Sequence, residues 1–361
     1  LDQMVAKRHE IGQIFGRNSF AEYKLEVNMA ENPANVWAFI DDLTNRTRDK
    51  AKRDLARLKA ARKTANGTPL TVPMPPWDTG YYRNEILKNE FNVDSELVRE
   101  YLPLDKALTG MFEIYQEVLG LEFRKVNNPS VWHEEIELYD VFEDGNLVGR
   151  FYLDLFPRPN KESWFYGVSL TPESQHAEGY EIPVSMLLGN FTRPTEELPS
   201  LVTHSELRIL FHEFGHIVGG IAYKGEFALQ TGSRADFVEA MAQIFENWIW
   251  DYEALSSFAM HYDTGEVLPE EVFKNMLATK NITSGMGAQG GLRRAVYDLM
   301  LYDKYDPVNP MPTDDIWRHI ARQFVVSDFI EGTHPQASWI HINTHPVYYY
   351  GYHWARVYAQ D

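Results

Sequence analysis

Hydrophobic residues in the first part of the chain recur at the spacing of helices. Residues 1 to about 65 therefore predict helices, and the dense basic face within them is typical of a solvated helix surface. The stretch at 66–80 reads NGTPLTVPMPPWDTG, and its prolines predict a connector without a regular helix. Two further helices are predicted near 81–90 and 95–119.

The hydrophobic pattern changes in the middle of the chain. Three segments alternate or run apolar over strand lengths: VWHEEIELYDVF, GNLVGRFYLDLF and PVSMLLGNF. EDGN, between the first two, is typical of a β-hairpin turn. We therefore predict a mainly α fold with a small β-sheet, of the α+β class. We expect one domain over residues 1–361, with a helical subregion (1–125), a small sheet (131–191) and a second helical region (203–361).

The amino-acid composition and net charge argue against several classes of binding partner and several kinds of chemistry. The chain has 361 residues, of which 44% are hydrophobic and 24% charged, as in globular proteins. Its 52 acidic residues outnumber its 34 basic ones, and the net charge of −18 argues against nucleic acids and anionic membranes as partners. The absence of cysteine excludes disulfides, thiol nucleophiles and cysteine zinc sites. No run of apolar residues is long enough to predict a membrane-spanning helix.

The stretch ILFHEFGHIVGG at 209–220 carries candidate chemistry. His212 and His216 are four residues apart, so both imidazoles project from one side of a helix, and Glu213 lies next to that side. This is the His-Glu-x-x-His pattern, in which two imidazoles bind zinc and the carboxylate serves the water that zinc activates. The alternative is an amphipathic core helix that carries imidazoles by chance, in a chain with 12 histidines.

Local signals give the helices of this region their boundaries. Thr203 and Glu206 form the pattern of a capping box at the start of the histidine helix. Gly219 and Gly220 predict its end. The next helix is expected to begin after Ser233 as the N-cap residue.

That next helix offers a third metal ligand. A catalytic zinc ion takes three protein ligands and keeps one position open. Glu239 is a carboxylate on an otherwise apolar helix, which is costly to bury unless a cation meets it, so we predict that it is the third ligand. Asp236 and Glu246 are candidates to orient an imidazole N–H, with a cap and a solvent-facing acid as their alternatives.

These segments resemble the thimet oligopeptidase, neurolysin and oligopeptidase A family of zinc metallopeptidases. The segments that carry the resemblance are FHEFGH, DFVEAMAQIFENWIWD, VWHEEIELYDV, GRFYLDLFPRPNK, LLGNFTRP and YYYGYHWARVYAQD. The resemblance implies a zincin-type catalytic domain with one zinc ion per chain, held by His212, His216 and Glu239. It also implies that Glu213 is the general base.

The resemblance extends to the C-terminal tail. In the family, the tyrosines of YYGY contact the substrate and stabilise the tetrahedral intermediate, which gives Tyr352, and secondarily Tyr349, these roles here. His341 matches a substrate-binding histidine of the family, and His345 lies near the place of a family tyrosine that this chain lacks. Pro346 predicts the start of a helix that carries His345, Tyr349, Tyr352 and Arg356 on one face, and ordinary amphipathic packing is the alternative interpretation of these tyrosines.

Two glycine-related features depart from a simple reading. In the family, a histidine often follows the zinc motif by three residues, and this chain has Gly219 at that position. The family histidine is not a zinc ligand, so the predicted ligand set is unchanged. GMGAQG at 285–290 matches a dinucleotide-binding fingerprint in its letters, yet it follows a predicted helix rather than a strand. We expect a mobile loop there instead.

The predicted function is that of a zinc metalloendopeptidase, which hydrolyses internal bonds of short peptides by attack of a zinc-bound water. One alternative is a dipeptidyl carboxypeptidase. Another is an inactive zinc- or peptide-binding protein, because family members are nearly twice as long and their N-terminal helical region is absent from this chain. Self-association that supplies the missing wall is a third alternative. A cytoplasmic location is expected, with a trimmed secretion signal as the alternative.

Overall fold

The computed structural model describes residues 1–227 and 233–361. It divides into two compact units, each built from several segments of the chain. The first unit comprises Leu1–Asn92, Arg234–Phe237 and Ala278–Tyr358, and the second comprises Val93–Ser233, Val238–Leu277 and Ala359–Asp361. The expectation of one catalytic domain over residues 1–361 stays a prediction.

The helices and strands have the following bounds. The helices are α1 (Asp2–Ile14), α2 (Phe20–Leu25), α3 (Pro33–Asn66), α4 (Pro76–Phe91), α5 (Ser95–Arg99), α6 (Leu104–Leu119), α7 (His204–Ala222), α8 (Val238–Phe245), α9 (Tyr252–Ser256), α10 (Glu270–Thr279), α11 (Ser284–Asp303), α12 (Thr313–Ala321), α13 (His341–Thr344) and α14 (Gly351–Gln360). The strands are β1 (Leu121–Lys125), β2 (Glu137–Glu143), β3 (Asn146–Asp154), β4 (Tyr166–Thr171), β5 (Ser174–His176), β6 (Gly179–Glu181) and β7 (Val184–Leu188).

The N-terminal helices confirm the hydrophobic pattern, with two corrections to their boundaries. α3 has strong end signals, because Asn32 caps it and Gly67 ends it in the left-handed conformation. α4 begins at Pro76, inside the predicted connector, since proline is tolerated in the first helical turn. The helix predicted over 95–119 is divided into α5 and α6, and Pro103 stands at the break as the N-cap residue of α6.

The core of the first unit forms where α3 packs along α11. Asp54 on α3 accepts hydrogen bonds from the backbone N–H groups of Gly285 and Met286, at 2.9 and 3.2 Å, and so caps the start of α11. A side chain at Gly285 would meet the backbone of Ala51, so the glycine permits this close packing. The mobile loop predicted at 285–290 is therefore wrong, because this stretch is the first part of a buried helix.

A five-stranded mixed sheet forms one layer of the second unit. Its strand order is β1-β2-β3-β7-β4, with β3 and β7 parallel and the other neighbours antiparallel. The predicted EDGN hairpin is confirmed, since Asp144 and Gly145 both have the positive φ angles that a tight hairpin turn needs. Strands β1 and β4 were not predicted.

Helix α7 packs against the sheet and against α8. Phe214 on α7 contacts the rings of Phe112, Phe123 and Phe151, which are contributed by α6, β1 and β3. This aromatic cluster fixes the histidine helix on a rigid support. The prediction of a mainly α fold with a small sheet is confirmed. Among the described residues, none of the helices has the length and hydropathy needed to span a membrane.

Candidate metal centre

Helix α7 presents His212 and His216 from one side, with their ring centroids 4.9 Å apart. The helix begins with the predicted capping box: the Thr203 side chain accepts from the N–H of Glu206, and the Glu206 side chain accepts from the N–H of Thr203. Its predicted end at Gly219 is wrong, since α7 continues to Ala222. An added Cβ at Gly219 would meet Met241 on α8 only at ordinary contact distance.

Helix α8 brings Glu239 to the two imidazoles. Its Oε2 lies 3.1 Å from His212 Nε2 and 3.4 Å from His216 Nε2. The three candidate ligand atoms all lie within 4.8 Å of one another, and the Glu239 side chain is only 5% exposed. α8 begins at Val238, so the predicted start after Ser233 is wrong.

A close approach of α7 and α8 makes this convergence possible. An added Cβ at Gly215 would lie 2.7 Å from the Cα of Ala242, closer than a real Cβ contact allows. Gly215 is one residue before His216, and Ala242 is three residues after Glu239. The glycine therefore lets the backbone of the ligand-bearing helices meet at the level of the candidate ligands.

The donor set fits a zinc ion. Atoms bound about 2.0–2.1 Å from a tetrahedral zinc ion lie roughly 3.3–3.4 Å from one another. The separations of 3.1 and 3.4 Å between Glu239 Oε2 and the two imidazole nitrogens are close to that spacing. Two imidazoles and one carboxylate also match the ligand types of catalytic zinc sites, which keep a fourth position for water or substrate.

Glu246 and Arg208 support the imidazole of His212 from the side opposite Glu239. Glu246 Oε1 lies 2.8 Å from His212 Nδ1, and Arg208 Nη1 lies 3.1 Å from Glu246 Oε2. When Nδ1 carries the proton and donates it to Glu246, Nε2 is unprotonated. Its lone pair is then available to bind a metal ion. The structure thus places Glu246 as predicted. Arg208 was missed, and its position one turn before His212 was the available signal.

Asp236 does not have the role predicted for it. Its fully buried carboxylate accepts hydrogen bonds from the N–H groups of Met29 and Ala30, at 2.9 and 3.0 Å. It also accepts one from the hydroxyl of Tyr350, at 2.8 Å. Through these three hydrogen bonds Asp236 links separate segments of the first unit. The prediction that Asp236 orients an imidazole is therefore wrong.

The charges of the centre favour a cation between its carboxylates. Burial alone would lower the pKa of His212, but the hydrogen bonds to Glu239 and Glu246 outweigh burial and raise it to about 9. Burial alone would raise the pKa of Glu239, but the contacts with His212 and His216 outweigh it and lower that pKa below the ordinary value. A positive charge at this point, carried by an imidazolium or by a metal ion, compensates the buried carboxylates.

Glu213 lies beside the candidate ligands and is held by β4. The N–H of Gly167 donates to Glu213 Oε2 at 2.8 Å. Burial raises the pKa of Glu213, against the opposing influence of His212, His216 and the Gly167 N–H. A Cβ at Gly167 would lie 2.9 Å from the backbone oxygen of Glu213, so a glycine is needed for this approach. Sequence reasoning missed Gly167 because it missed the strand that carries it.

The four predicted substrate-binding residues of the tail come together in the first unit. His341 Nε2 lies 3.2 Å from the hydroxyl of Tyr352. The ring of Tyr349 lies 5.4 Å from that of His341 and 5.0 Å from that of Tyr352, and the exposed ring of His345 lies 6.0 Å from that of His341. We call these four residues the tail cluster.

The backbone of the tail differs from the predicted helix. Helix α14 begins at Gly351, not at Pro346, so Tyr349 lies before it. The buried carboxylate of Asp298 accepts from the three N–H groups of Val347–Tyr349, at 2.9, 2.9 and 3.1 Å. These bonds hold a turn in which Val347 has a φ of 60°, a conformation that a β-branched residue rarely adopts. The helical face predicted for His345, Tyr349 and Tyr352 is therefore wrong.

Comparisons with known proteins agree with the resemblance seen in the sequence. The model of "Peptidase family M3" matches residues 1–361. Oligopeptidase A of Salmonella typhimurium is 33% identical over 368 residues, covering 100% of this chain and 54% of its own length. The thimet-like oligopeptidase of Dictyostelium discoideum is 32% identical over 367 residues, covering 98% and 54%. A solved structure described as PZ peptidase A with inhibitor 2 is 16% identical with a TM-score of 0.48, covering 99% and 54%. The chain thus spans about half the length of the curated relatives it matches.

Proposed function

The chain belongs to peptidase family M3, and we propose that it hydrolyses internal bonds of short peptides with one zinc ion held by His212, His216 and Glu239. The observation that supports this most strongly is the convergence of three ligand atoms within 4.8 Å of one another, next to Glu213. A zinc ion bound there supplies Lewis-acid chemistry, since it acidifies water and polarises a carbonyl group.

Glu213 is the proposed general base. Burial raises its pKa and so strengthens it as a proton acceptor, while the Gly167 N–H fixes the orientation of its carboxylate. It takes a proton from the attacking water and then delivers it to the leaving amine of the peptide. No covalent intermediate with the protein is needed for this sequence of proton transfers.

Tyr352 is the proposed donor to the oxyanion that forms at the scissile carbonyl. Its hydroxyl lies beside His341 Nε2, which orients it, and Tyr349 packs against its ring. We propose that His341, His345 and Tyr349 bind the peptide, as the family resemblance implies. This assignment rests on the tail cluster and on the resemblance of the YYGY segment.

Two substitutions test the mechanism. Glu213→Gln is expected to abolish hydrolysis of a quenched fluorescent peptide and to keep one zinc ion per chain. Tyr352→Phe is expected to lower kcat by roughly a hundredfold or more, the usual cost of one oxyanion donor, with zinc content unchanged. Tyr358→Phe is the matched control, because Tyr358 lies on the same helix and is 43% exposed. A Tyr352→Phe enzyme as active as this control would remove the tyrosine from the mechanism.

The mode of cleavage separates the proposal from the exo-acting alternative. An endopeptidase cleaves a peptide whose C-terminus is amidated, whereas a dipeptidyl carboxypeptidase requires the free carboxylate and releases dipeptides. Mass spectra of both digests, with and without chelator, give the cleavage sites. Release of dipeptides from the free-acid peptide alone would favour the dipeptidyl carboxypeptidase.

A second candidate function, binding of zinc and peptides without hydrolysis, stays a prediction. A protein that holds zinc and binds peptides but cleaves none would fit this candidate. The cytoplasmic location and self-association stay predictions. A monomeric and fully active preparation would exclude the need for self-association.

A further inference from the structure

A pocket of about 160 Å³ lies within the first unit, and none of the side chains used in the mechanism above lines it. Its lining comes from α11, with Arg293 and Arg294, and from α12, with Trp317. The segment 335–339 also lines it, with Gln336, Ser338 and Trp339. Two guanidinium groups and two indole rings thus line a small pocket that is partly open to solvent.

The two arginines bring positive charge that pairs with no carboxylate in the described part of the chain. Among residues 1–227 and 233–361, neither Arg293 nor Arg294 forms an ion pair. Burial lowers the pKa of Arg293 to about 10, so the group is still charged at neutral pH. The nearby carboxylate of Asp314 is engaged by Arg318 at 2.8 Å and by Gln336 at 2.6 Å. The guanidinium of Arg293 instead lies 4.9 Å from the ring of Trp317.

We propose that this pocket is a second ligand site, which binds a small oxyanion. The guanidinium groups of Arg293 and Arg294 would receive the oxyanion, because a planar guanidinium group matches the geometry of a carboxylate or a phosphate. Hydrogen phosphate and the C-terminal end of a peptide both have this chemistry. The site does not depend on the metal centre, because all of its lining residues belong to the first unit.

Trp339 connects the second site with the tail cluster. Its ring lies 4.7 Å from that of Tyr349 and 6.0 Å from that of His341. A ligand that contacts Trp339 therefore sits one ring away from the proposed peptide-binding residues. Occupancy is expected to change tryptophan fluorescence, since Trp317 and Trp339 both line the pocket.

The test is a titration at constant ionic strength, followed by tryptophan fluorescence and by calorimetry. The probes are inorganic phosphate, N-acetylglycine, which has a carboxylate beside an amide N–H, and uncharged N-acetylglycinamide. Arg294→Gln removes an exposed guanidinium with little risk to folding, and Arg293→Lys keeps the charge but not the planar fork. Arg46→Gln removes an equal charge from an exposed i,i+4 pair with Asp42 and serves as the control.

We expect saturable binding of phosphate or of N-acetylglycine, weakened about tenfold or more in both variants and unchanged in Arg46→Gln. Binding of phosphate alone would identify a free anion as the ligand, and binding of N-acetylglycine but not its amide would identify a peptide carboxylate. Absence of saturable binding by either oxyanion, or equal affinity in Arg294→Gln and Arg46→Gln, would overturn the proposal. Because the measurement is binding, its outcome does not depend on peptide hydrolysis.

Discussion

Gly215→Ala is expected to separate the two helices that carry the candidate metal ligands. The added Cβ would lie 2.7 Å from Ala242 Cα, 3.2 Å from the Tyr115 hydroxyl and 3.3 Å from Ala242 N. Backbone atoms cannot rotate away as a flexible side chain can. To reach an ordinary contact of about 3.4 Å, α7 and α8 must therefore move apart by about 0.7 Å near Gly215.

This displacement is expected to lower both the free energy of unfolding and the affinity for zinc. Overpacking of a core costs about 1–3 kcal/mol, and the higher helix propensity of alanine returns about 0.5–1 kcal/mol. We expect a net loss of about 1–2 kcal/mol in the free energy of unfolding. Metal-site distances tolerate only about 0.2 Å, so a shift of Glu239 relative to His216 is expected to weaken zinc binding by about tenfold or more.

Gly219→Ala is the matched control, one turn further along α7. Its Cβ would meet only Met241, at 3.5 Å, so this variant should be as stable as the wild type or more stable. The assay combines urea denaturation with zinc affinity measured against a competing chelator. If Gly215→Ala matched Gly219→Ala in both measurements, the close approach of α7 and α8 would not be what assembles the site.

Three other substitutions test separate contacts. Glu246→Ala should lower zinc affinity by about 10–100-fold, because His212 loses the hydrogen-bond partner of its Nδ1. Competition with a chelator measures this affinity, and an unchanged value would contradict the prediction. Burial raises the pKa of Asp298 to about 6 from its ordinary 3.8, so the folded state binds an extra proton between these pH values. Stability should therefore fall by roughly 3 kcal/mol as pH rises through that window, relative to Asp298→Asn in chelator, and parallel pH profiles in urea denaturation would refute it. Lys161→Met should cost about 1–3 kcal/mol of unfolding free energy, because three backbone carbonyl groups lose the donor they share while Arg158 still pairs with Asp154, and an unchanged free energy would count against this role of Lys161.

The parts of the candidate site that could be predicted from the sequence are those set by local spacing. His212 and His216 share a face because they are four residues apart on one helix. The capping box at Thr203 is complete within four residues, and the EDGN turn pairs adjacent strands. Glu239 was predicted from the physical cost of burying a carboxylate on an apolar helix, and it lies beside both imidazoles.

The parts that could not be predicted depend on contacts between distant segments. The Gly167 N–H reaches Glu213 across 46 positions of the chain, on a strand that has no strong alternation of its own. The start of α14 was misplaced because Asp298, some 50 residues earlier, takes the N–H groups that would otherwise begin a helix near Pro346. No local pattern reports that competition, since a buried carboxylate and a solvent-facing one look alike in a sequence.

The same limit explains Asp236. Its place near the start of α8 is typical of a capping residue, and its closeness in sequence to Glu239 suggested a role at the metal centre. The carboxylate instead bonds to Met29, Ala30 and Tyr350, which lie more than a hundred residues away in either direction. The fold class and the family are thus readable from the sequence, while the partners of buried carboxylates require the tertiary structure.

The most direct test of the central claim is zinc content measured together with peptide hydrolysis on one preparation. We expect one zinc ion per chain, loss of hydrolysis when a chelator removes it, and recovery when zinc is returned. We also expect Glu239→Ala to bind zinc far more weakly and to hydrolyse little peptide. Full hydrolysis by protein stripped of metal, or unchanged zinc affinity in Glu239→Ala, would contradict the account.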